Sequence, residues 1–151
     1  MRHKAIPEAH LILIRDERIL LLRRANTGYE DGNFSVVAGH IEAGETAREA
    51  TCREAQQEAG ITLSVDQLSL FHVVHKFAGS ERIGFFFAAS AWDGVIRNME
   101  PTKCDLLDWF PLHDLPGNMV AYVRHAIDLG RRGIMYSESG WPVPASPSGV
   151  S

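Results

Sequence analysis

The segment from residue 39 to residue 61 constrains this chain more than any other. It places two glycines and four charged residues at fixed spacings, at Gly39, Glu45, Arg53, Glu54, Glu58 and Gly60. Residues 47–59 include four alanines and neither proline nor glycine, so they favour an α-helix. Thr46 and Glu49 have the spacing of an N-terminal capping box, and Gly60 suits the left-handed position after the last turn. The pattern predicts a loop that leads into a short helix.

Two acids of the predicted helix are spaced to bind a metal ion. Glu54 and Glu58 lie four residues apart, so their side chains share one helix face and repel each other. A divalent cation that prefers oxygen ligands, Mg²⁺ or alternatively Mn²⁺, removes this repulsion. The same cation would bind phosphate oxygens and lower the pKa of a water molecule. A solvated acidic face is the alternative for an isolated pair, but the complete spacing favours a metal site.

This spacing resembles the Nudix box, the signature of hydrolases that cut a nucleoside diphosphate linked to another group. The resemblance implies an α/β/α sandwich with a mixed β-sheet and the box helix on one face. It implies metal ligands at Glu54, Glu58 and the backbone carbonyl of Ala38. It also implies that Arg53 holds a box glutamate in place, with Glu45 as the expected partner. We therefore expect Glu54, Glu58, Arg53 and Glu45 to form the catalytic group.

Two positions depart from the family pattern. Gln57 stands where the family usually has a glutamate, and Val37-Ala38-Gly39 stands in place of Pro-Gly-Gly. An amide oxygen can bind a hard cation but brings no charge, so we expect Gln57 to be a metal ligand that weakens Mg²⁺ binding. The second departure is milder, because a backbone carbonyl does not depend on its own side chain.

Residues outside the box complete the expected site. In similar proteins a further glutamate from the region before the last strand completes the metal site or acts as a base, which favours Glu100 here, with Asp105 second. An arginine at the end of the second strand contacts the substrate in such proteins, which favours Arg24, with Arg23 second. Tyr29 lies in the loop where the family often receives the nucleoside and could stack on a base.

Asn118 has two interpretations, as a reader of a purine edge and as the N-cap of the last helix. That helix is predicted to run from residue 118 to about residue 129. Apolar and β-prone runs predict strands at 9–14, 19–22, 34–37, 68–77, 82–92 and 106–112.

Length and composition limit the function classes. The 151 residues predict a single domain over residues 1–136, followed by a Ser/Pro/Gly-rich tail over residues 137–151 that is flexible unless Trp141 docks. A net charge of −4 without a basic run argues against long nucleic acid as a partner. Two cysteines suggest no disulfide framework, and no apolar run suits a membrane span. We expect a cytoplasmic monomer or homodimer with a small nucleotide as its substrate.

The resulting hypothesis is Mg²⁺-dependent hydrolysis of a nucleoside triphosphate, including an oxidised or non-standard one, to a monophosphate and pyrophosphate. One alternative is a nucleoside diphosphate sugar pyrophosphatase with an ADP-ribose-like substrate. An alternative of another class is a catalytically weakened nucleotide-binding module, for which Gln57 would be the sign.

Overall fold

The computed structural model describes residues 2–142. Within them lie eight strands, two α-helices and one 3₁₀ turn at Val65–Gln67. In chain order the elements are β1 (Ile6–Arg15), β2 (Arg18–Arg24), β3 (Phe34–Ser35), β4 (Ala38–His40), α1 (Ala47–Ala59), β5 (Ser69–Phe77), β6 (Glu81–Ala89), β7 (Cys104–Pro111), α2 (Ala121–Arg131) and β8 (Tyr136–Ser139).

The sheet is mixed and it divides along β1. Its strand order is β3-β2-β1-β6-β5-β8, with β4 paired to β1 and β7 paired to β2. The β1–β6 and β5–β8 pairs are parallel, and the other pairs are antiparallel. The first half of β1 pairs with β4 and its end pairs with β2, while β6 occupies the other edge. The sheet therefore opens between β4 and β2, next to the loop that leads to α1.

Alternate residues of the strands pack against helices on the two faces of the sheet. Leu11 and Leu13 of β1 belong to the core cluster that includes Ala55 and Ala59 of α1. The intervening Ile12 belongs to the second cluster, with residues of α2. This is the period of two expected of a strand that is covered on both sides. The arrangement confirms the predicted α/β/α sandwich with the box helix on one face.

Helix α1 has the bounds and the caps that its sequence predicts. The Thr46 hydroxyl accepts from the Glu49 amide at 3.1 Å, and the Glu49 carboxylate accepts from the Thr46 amide at 2.8 Å. Gly60 ends the helix with a φ of 69°, and its amide donates to the last turn. Three small side chains on the inner face are fully buried, so the helix lies close to the sheet; they are Ala50, Ala55 and Ala59.

The N-cap prediction for Asn118 is wrong. Helix α2 begins at Ala121, and its N-cap position is Val120. The Asn118 carbonyl instead accepts from the Phe34 amide at 2.8 Å, and its side-chain amide donates to the Gly32 carbonyl at 2.8 Å. Met119 forms a short parallel bridge with Phe34, and both side chains are buried. Burying this apolar pair delays the helix by about one turn and outweighs the capping preference of asparagine.

Part of the segment predicted to be a flexible tail is held against the sheet. Residues 137–139 belong to β8, which adds a parallel strand to the edge of β5. The Trp141 indole donates to the His75 carbonyl at 2.9 Å, and its ring lies 5.5 Å from that of Phe77. The buried His72 contacts the Ile134 carbonyl and the Ser137 hydroxyl, which ties the start of β8 to β5. The rest of the predicted tail, residues 143–151, lies outside the described residues.

No helix between residues 2 and 142 has both the length and the hydropathy that crossing a membrane requires.

Candidate active site

One cavity gathers all of the side chains and the backbone group expected to bind metal. It has a volume of about 450 Å³ and lies between α1, β4 and the loop before β7. We call it the acid cavity; its acidic and amide lining residues are Asn26, Glu54, Gln57, Glu58 and Glu100, with Ala38 and Gly39 of β4 beside them and with Arg24 and Lys103 as its basic residues. Carboxylate, amide and carbonyl oxygens are the donor set that Mg²⁺ and Mn²⁺ prefer. The donor types present therefore suit a divalent cation, although no group of three or more His, Cys, Asp or Glu residues between residues 2 and 142 is arranged to hold one as the side chains stand.

Glu58 lies among the other acids of this cavity. Burial, a hydrogen bond with Glu54 and the charges of Glu54 and Glu100 raise its pKa far above the usual range. The Ala38 amide lies 3.5 Å from one carboxylate oxygen and opposes this increase only weakly. A cation placed among these acids would take the place of the proton that Glu58 otherwise keeps.

Arg53 joins the loop before α1 to the acids on the helix. Its guanidinium binds the Glu45 carboxylate through two hydrogen bonds, of 2.7 Å and 2.9 Å. It also donates to Glu54 at 2.7 Å, to Gln57 at 3.2 Å and to the His40 carbonyl at 3.0 Å. The hydrogen bonds from Arg53 hold the pKa of the Glu45 carboxyl below its usual value. The contact expected between Arg53 and Glu45 is present, and the same guanidinium orients Glu54.

Gly39 is required by the close approach of β4 to helix α1. A Cβ atom at this position would overlap the carboxyl group of Glu54. The first glycine of the box is thus needed for space, because any side chain would push Glu54 out of its place in the cavity.

Glu100, rather than Asp105, reaches the acid cavity. The loop that carries Glu100 is closed by its own carbonyl, which accepts from the amides of Lys103 and Cys104 at 2.9 Å each. Asp105 instead forms an ion pair with Arg23, with 2.7 Å between the Nε atom and the carboxylate oxygen.

The two expected substrate arginines are separated by the structure. Arg24 lines the acid cavity, and it donates to the Tyr29 carbonyl at 2.7 Å and to the Thr27 hydroxyl at 3.1 Å. Arg23 contacts Asp105, and its guanidinium lies 5.8 Å from the centre of the Phe34 ring. Since consecutive strand residues point to opposite faces, only one of the two can face the cavity.

A second cavity, of about 520 Å³, adjoins the first and shares Arg24, Ala38 and Gly39 with it. We call it the basic cavity; its further polar and aromatic lining residues are Glu8, His10, Tyr29, His40, Lys76, Arg82 and Tyr122. Tyr29, which is 47% exposed, lines this cavity. Asn118 is absent from the lining of both cavities, because its side chain is bound to Gly32.

Sequence reasoning missed the charged cluster in the basic cavity. Lys76 Nζ lies 3.0 Å from Glu8 Oε1, and Arg82 Nη1 lies 2.9 Å from Glu8 Oε2. Glu8 Oε1 is buried, and the Lys76 ammonium is the charged group that contacts it. Burial would raise the pKa of Glu8, but the two cations lower it below its usual value. The sequence contained one indication of this cluster. Glu8 on β1 and Lys76 on β5 alternate in phase with the apolar core positions Ile12 and Val74, so they lie on the same strand faces as these core residues.

His10 and Tyr122 form a neutral wall beside this cluster. The His10 ring nitrogens contact the Phe85 carbonyl at 3.1 Å and the Tyr122 hydroxyl at 2.8 Å. Burial lowers the pKa of His10 to about 4 and raises that of Tyr122. Both side chains are therefore uncharged at neutral pH.

Comparisons with known proteins agree with this geometry. A model of the NUDIX domain family matches residues 5–129. The chain is 30% identical over 125 residues to the 8-oxo-dGDP phosphatase NUDT18 of Mus musculus, covering 81% of this chain and 37% of that protein. It is 39% identical over 106 residues to the ADP-ribose pyrophosphatase of Methanocaldococcus jannaschii, covering 70% of this chain and 61% of that protein.

A solved structure shows the same fold. The MutT NUDIX hydrolase from Burkholderia pseudomallei superposes with a TM-score of 0.77 at 29% identity, over 83% of this chain and 98% of that one. The chain spans 37% to 49% of the length of the first curated relatives that it matches. The family match over most of the chain, the shared fold and the box geometry show that this protein belongs to the Nudix (MutT-like) superfamily.

Proposed function

We propose that this protein is a Mg²⁺-dependent nucleotide pyrophosphohydrolase. The observation that carries the proposal is the convergence of Glu54, Glu58 and Glu100 on the backbone of Ala38 in one cavity, next to Arg24. An acidic cluster of this kind binds a cation, and a cation beside an arginine is suited to a diphosphate.

The residues of the acid cavity would have separate roles in binding the cation and the substrate. Glu54, Glu58, Glu100, the Gln57 amide and the Ala38 carbonyl would hold the cation, and Arg53 with Glu45 would keep Glu54 oriented. When bound, the cation supplies neutralisation of phosphate charge and a lowered pKa for water. Arg24 would bind a phosphate oxygen from the opposite wall of the cavity.

The reaction is a displacement at phosphorus. The oxygen of water forms a bond to one phosphorus of the diphosphate while the bridging P–O bond breaks, and the bridging oxygen leaves with the second phosphate. The proton of the water passes to a carboxylate, for which Glu54 and Glu100 are the candidates, since both line the cavity.

A nucleoside triphosphate is the first substrate that we propose, including an oxidised or non-standard one, with a monophosphate and pyrophosphate as products. The similarity to a relative named as an 8-oxo-dGDP phosphatase supports an oxidised nucleotide; that compound is a diphosphate, so the relative does not bear on the number of phosphates. The second candidate is a nucleoside diphosphate sugar, because the 39% identical relative is named as an ADP-ribose pyrophosphatase. We also place the protein in the cytoplasm, which two free cysteines support.

A panel of nucleotides with Mg²⁺ and with Mn²⁺, read by product identity, tests the proposal. Release of inorganic pyrophosphate identifies a triphosphate substrate, and release of a sugar phosphate identifies a nucleoside diphosphate sugar. Nucleotide binding without turnover of any compound would instead identify the catalytically weakened module that Gln57 suggests.

Glu58→Gln tests the acid cavity directly. We expect turnover to fall by about 1,000-fold or more, because the amide cannot neutralise the cation, while the fold is kept because Glu58 is protonated in the metal-free protein. Steady-state kinetics and circular dichroism measure the two effects. Glu17→Gln, in the exposed β1–β2 turn, is the control. Near-parental turnover in Glu58→Gln would remove Glu58 from the site.

A further inference from the structure

The basic cavity carries more positive than negative charge. Its walls include Arg24, Lys76 and Arg82 but only one carboxylate, that of Glu8, so two positive charges remain in excess. The adjoining acid cavity contains Glu54, Glu58 and Glu100 together with Arg24 and Lys103, so it has no such excess of positive charge. A ligand can therefore be held through a cation at the acids of one cavity and directly by cationic side chains in the other.

Lys76 and Glu8 form the floor of the basic cavity rather than its contact surface. The Lys76 side chain is 5% exposed, and its ammonium lies 3.0 Å from Glu8 and 3.3 Å from the centre of the Tyr122 ring. Burial lowers the pKa of Lys76, while the charge of Glu8 opposes this effect. The two side chains largely satisfy each other, so they leave the third member of the cluster to meet a ligand.

Arg82 is that third member, and it is fixed in place with free donors. Its Nη1 atom donates to Glu8 at 2.9 Å and lies 3.4 Å from His40 Nε2. The remaining guanidinium N–H groups have no partner within residues 2–142, and the side chain is 25% exposed toward the cavity. A guanidinium that is held by a carboxylate and open on its other edge is pre-organised for a phosphate.

Arg82 lies next to β4, the strand that carries the Ala38 carbonyl expected to bind the metal. His40, next to Arg82, lies two residues along β4 from Ala38, which corresponds to about 7 Å. Arg24 lines both cavities. One further phosphoryl group on a ligand held at the acid cavity can therefore reach the basic cavity.

We propose that the basic cavity binds a phosphoryl group that the substrate carries in addition to its scissile diphosphate, and that Arg82, positioned by Glu8, selects substrates with this group. The inference rests on the proposed function for the place of the scissile diphosphate. Two kinds of substrate supply such a group: a nucleoside triphosphate, and a nucleoside diphosphate derivative with a phosphate ester on its ribose.

The experiment compares two matched pairs of compounds. The first pair is a nucleoside triphosphate and the corresponding diphosphate, and the second is ADP-ribose with and without a 2′-phosphate. For Arg82→Gln we expect kcat/KM to fall about 10- to 100-fold for the member that carries the extra phosphate, and less than about three-fold for its partner. Arg82→Lys should recover part of the loss, and Arg131→Gln, exposed on α2, is the control.

Each result decides the inference. A selective loss in one pair supports it and identifies the source of the phosphate. An equal loss over all four compounds would show that Arg82 contacts only the shared diphosphate, and no loss in any compound would remove Arg82 from the site; both results overturn the inference. If the parent protein hydrolyses none of the four, their affinities are measured by titration calorimetry, and the same comparison of Arg82→Gln with the parent applies.

Discussion

Glu58 and Arg53 largely set the charge balance of the candidate site. Glu58 keeps a proton when no cation is bound, because it is buried beside Glu54 and Glu100. Arg53 neutralises the acids that lie nearer the surface, with close contacts to Glu45 and Glu54. Without a metal, the proton on Glu58 and the charge of Arg53 limit the repulsion among the acids. When Glu58 loses its proton, the added negative charge attracts a cation.

Gln57 is the residue at which this site differs from the family pattern. It lies at the edge of the acid cavity and accepts a hydrogen bond from Arg53 at 3.2 Å. We expect Gln57→Glu to tighten Mg²⁺ binding by about ten-fold, because it adds a charge next to the cation. Titration calorimetry with Mg²⁺ measures the change, and Gln56→Glu on the neighbouring exposed position is the matched control. An affinity for Mg²⁺ equal to that of the parent would exclude Gln57 from the metal site.

His10 makes the stability of the protein depend on pH. Burial lowers its pKa to about 4 from an ordinary value of 6.5. Between these two pH values the unfolded chain binds a proton at His10 and the folded chain does not. The stabilisation is complete above pH 6.5 and is lost as the pH falls toward 4, with a difference of up to about 3 kcal/mol in the free energy of unfolding.

We therefore expect His10→Gln to reduce the slope of the free energy of unfolding between pH 7 and pH 4. Urea denaturation at several pH values measures it, and His113→Gln, on the surface, is the control. Identical slopes for His10→Gln and the parent would show that His10 takes up its proton in the folded state.

At the scale of the element, α1 and β4 act as a pair. The capping box of α1 sets where the helix begins, and hydrogen bonds from the first half of β1 hold β4. The helix can approach β4 closely because Gly39 has no side chain. The separation of these two elements decides whether Glu54 and the Ala38 carbonyl can share a cation.

Gly39→Ala tests this close approach. Its methyl group would displace the carboxyl group of Glu54, and we expect kcat to fall by about 100-fold with little change in secondary structure. Gly117→Ala is the matched control, because a Cβ atom there meets no neighbour within 4 Å. Kinetics on the best substrate of the panel measure the effect. Unchanged turnover in Gly39→Ala would mean that Glu54 need not occupy its observed position.

At the scale of the molecule, the division of the sheet along β1 creates the site. Strands β4 and β2 pair with different parts of the same edge of β1. They do not pair with each other, and the gap between them forms a cleft. The acid cavity and the basic cavity meet there, at Arg24, Ala38 and Gly39. At the far edge of the sheet, β8 pairs with β5, and Trp141 docks on β5 beside it.

Trp141→Ala tests whether this closure stabilises the whole molecule. The indole makes one hydrogen bond to β5 and packs on His75 and Phe77, so we expect the free energy of unfolding to fall by about 1–2 kcal/mol. Trp141→Phe keeps the ring contacts and should recover about half of the loss. Urea denaturation followed by circular dichroism measures both variants. Parental stability in Trp141→Ala would show that the segment after β8 adds nothing to the fold.

The sequence by itself determined the local features of this protein. Helix α1, its caps and the shared face of Glu54 and Glu58 follow from spacings within about 15 residues, where propensity and capping act directly. Six strands of the sheet follow from apolar, β-prone runs, whereas β4 and β8 have no such run and were not predicted. These features need no knowledge of distant contacts, because each depends on residues that are close along the chain.

The tertiary structure alone decided the features that join distant residues. It placed Arg24 at the cavity and Arg23 away from it, brought Glu100 to the acids of α1, and moved the start of α2 past Asn118. It also brought Glu8 of β1 together with Lys76 of β5 and Arg82 of β6, which are distant from β1 along the sequence. The physical reason is that burial and pairing of charge depend on the neighbours that folding brings together, and these outweigh local preferences wherever the two compete.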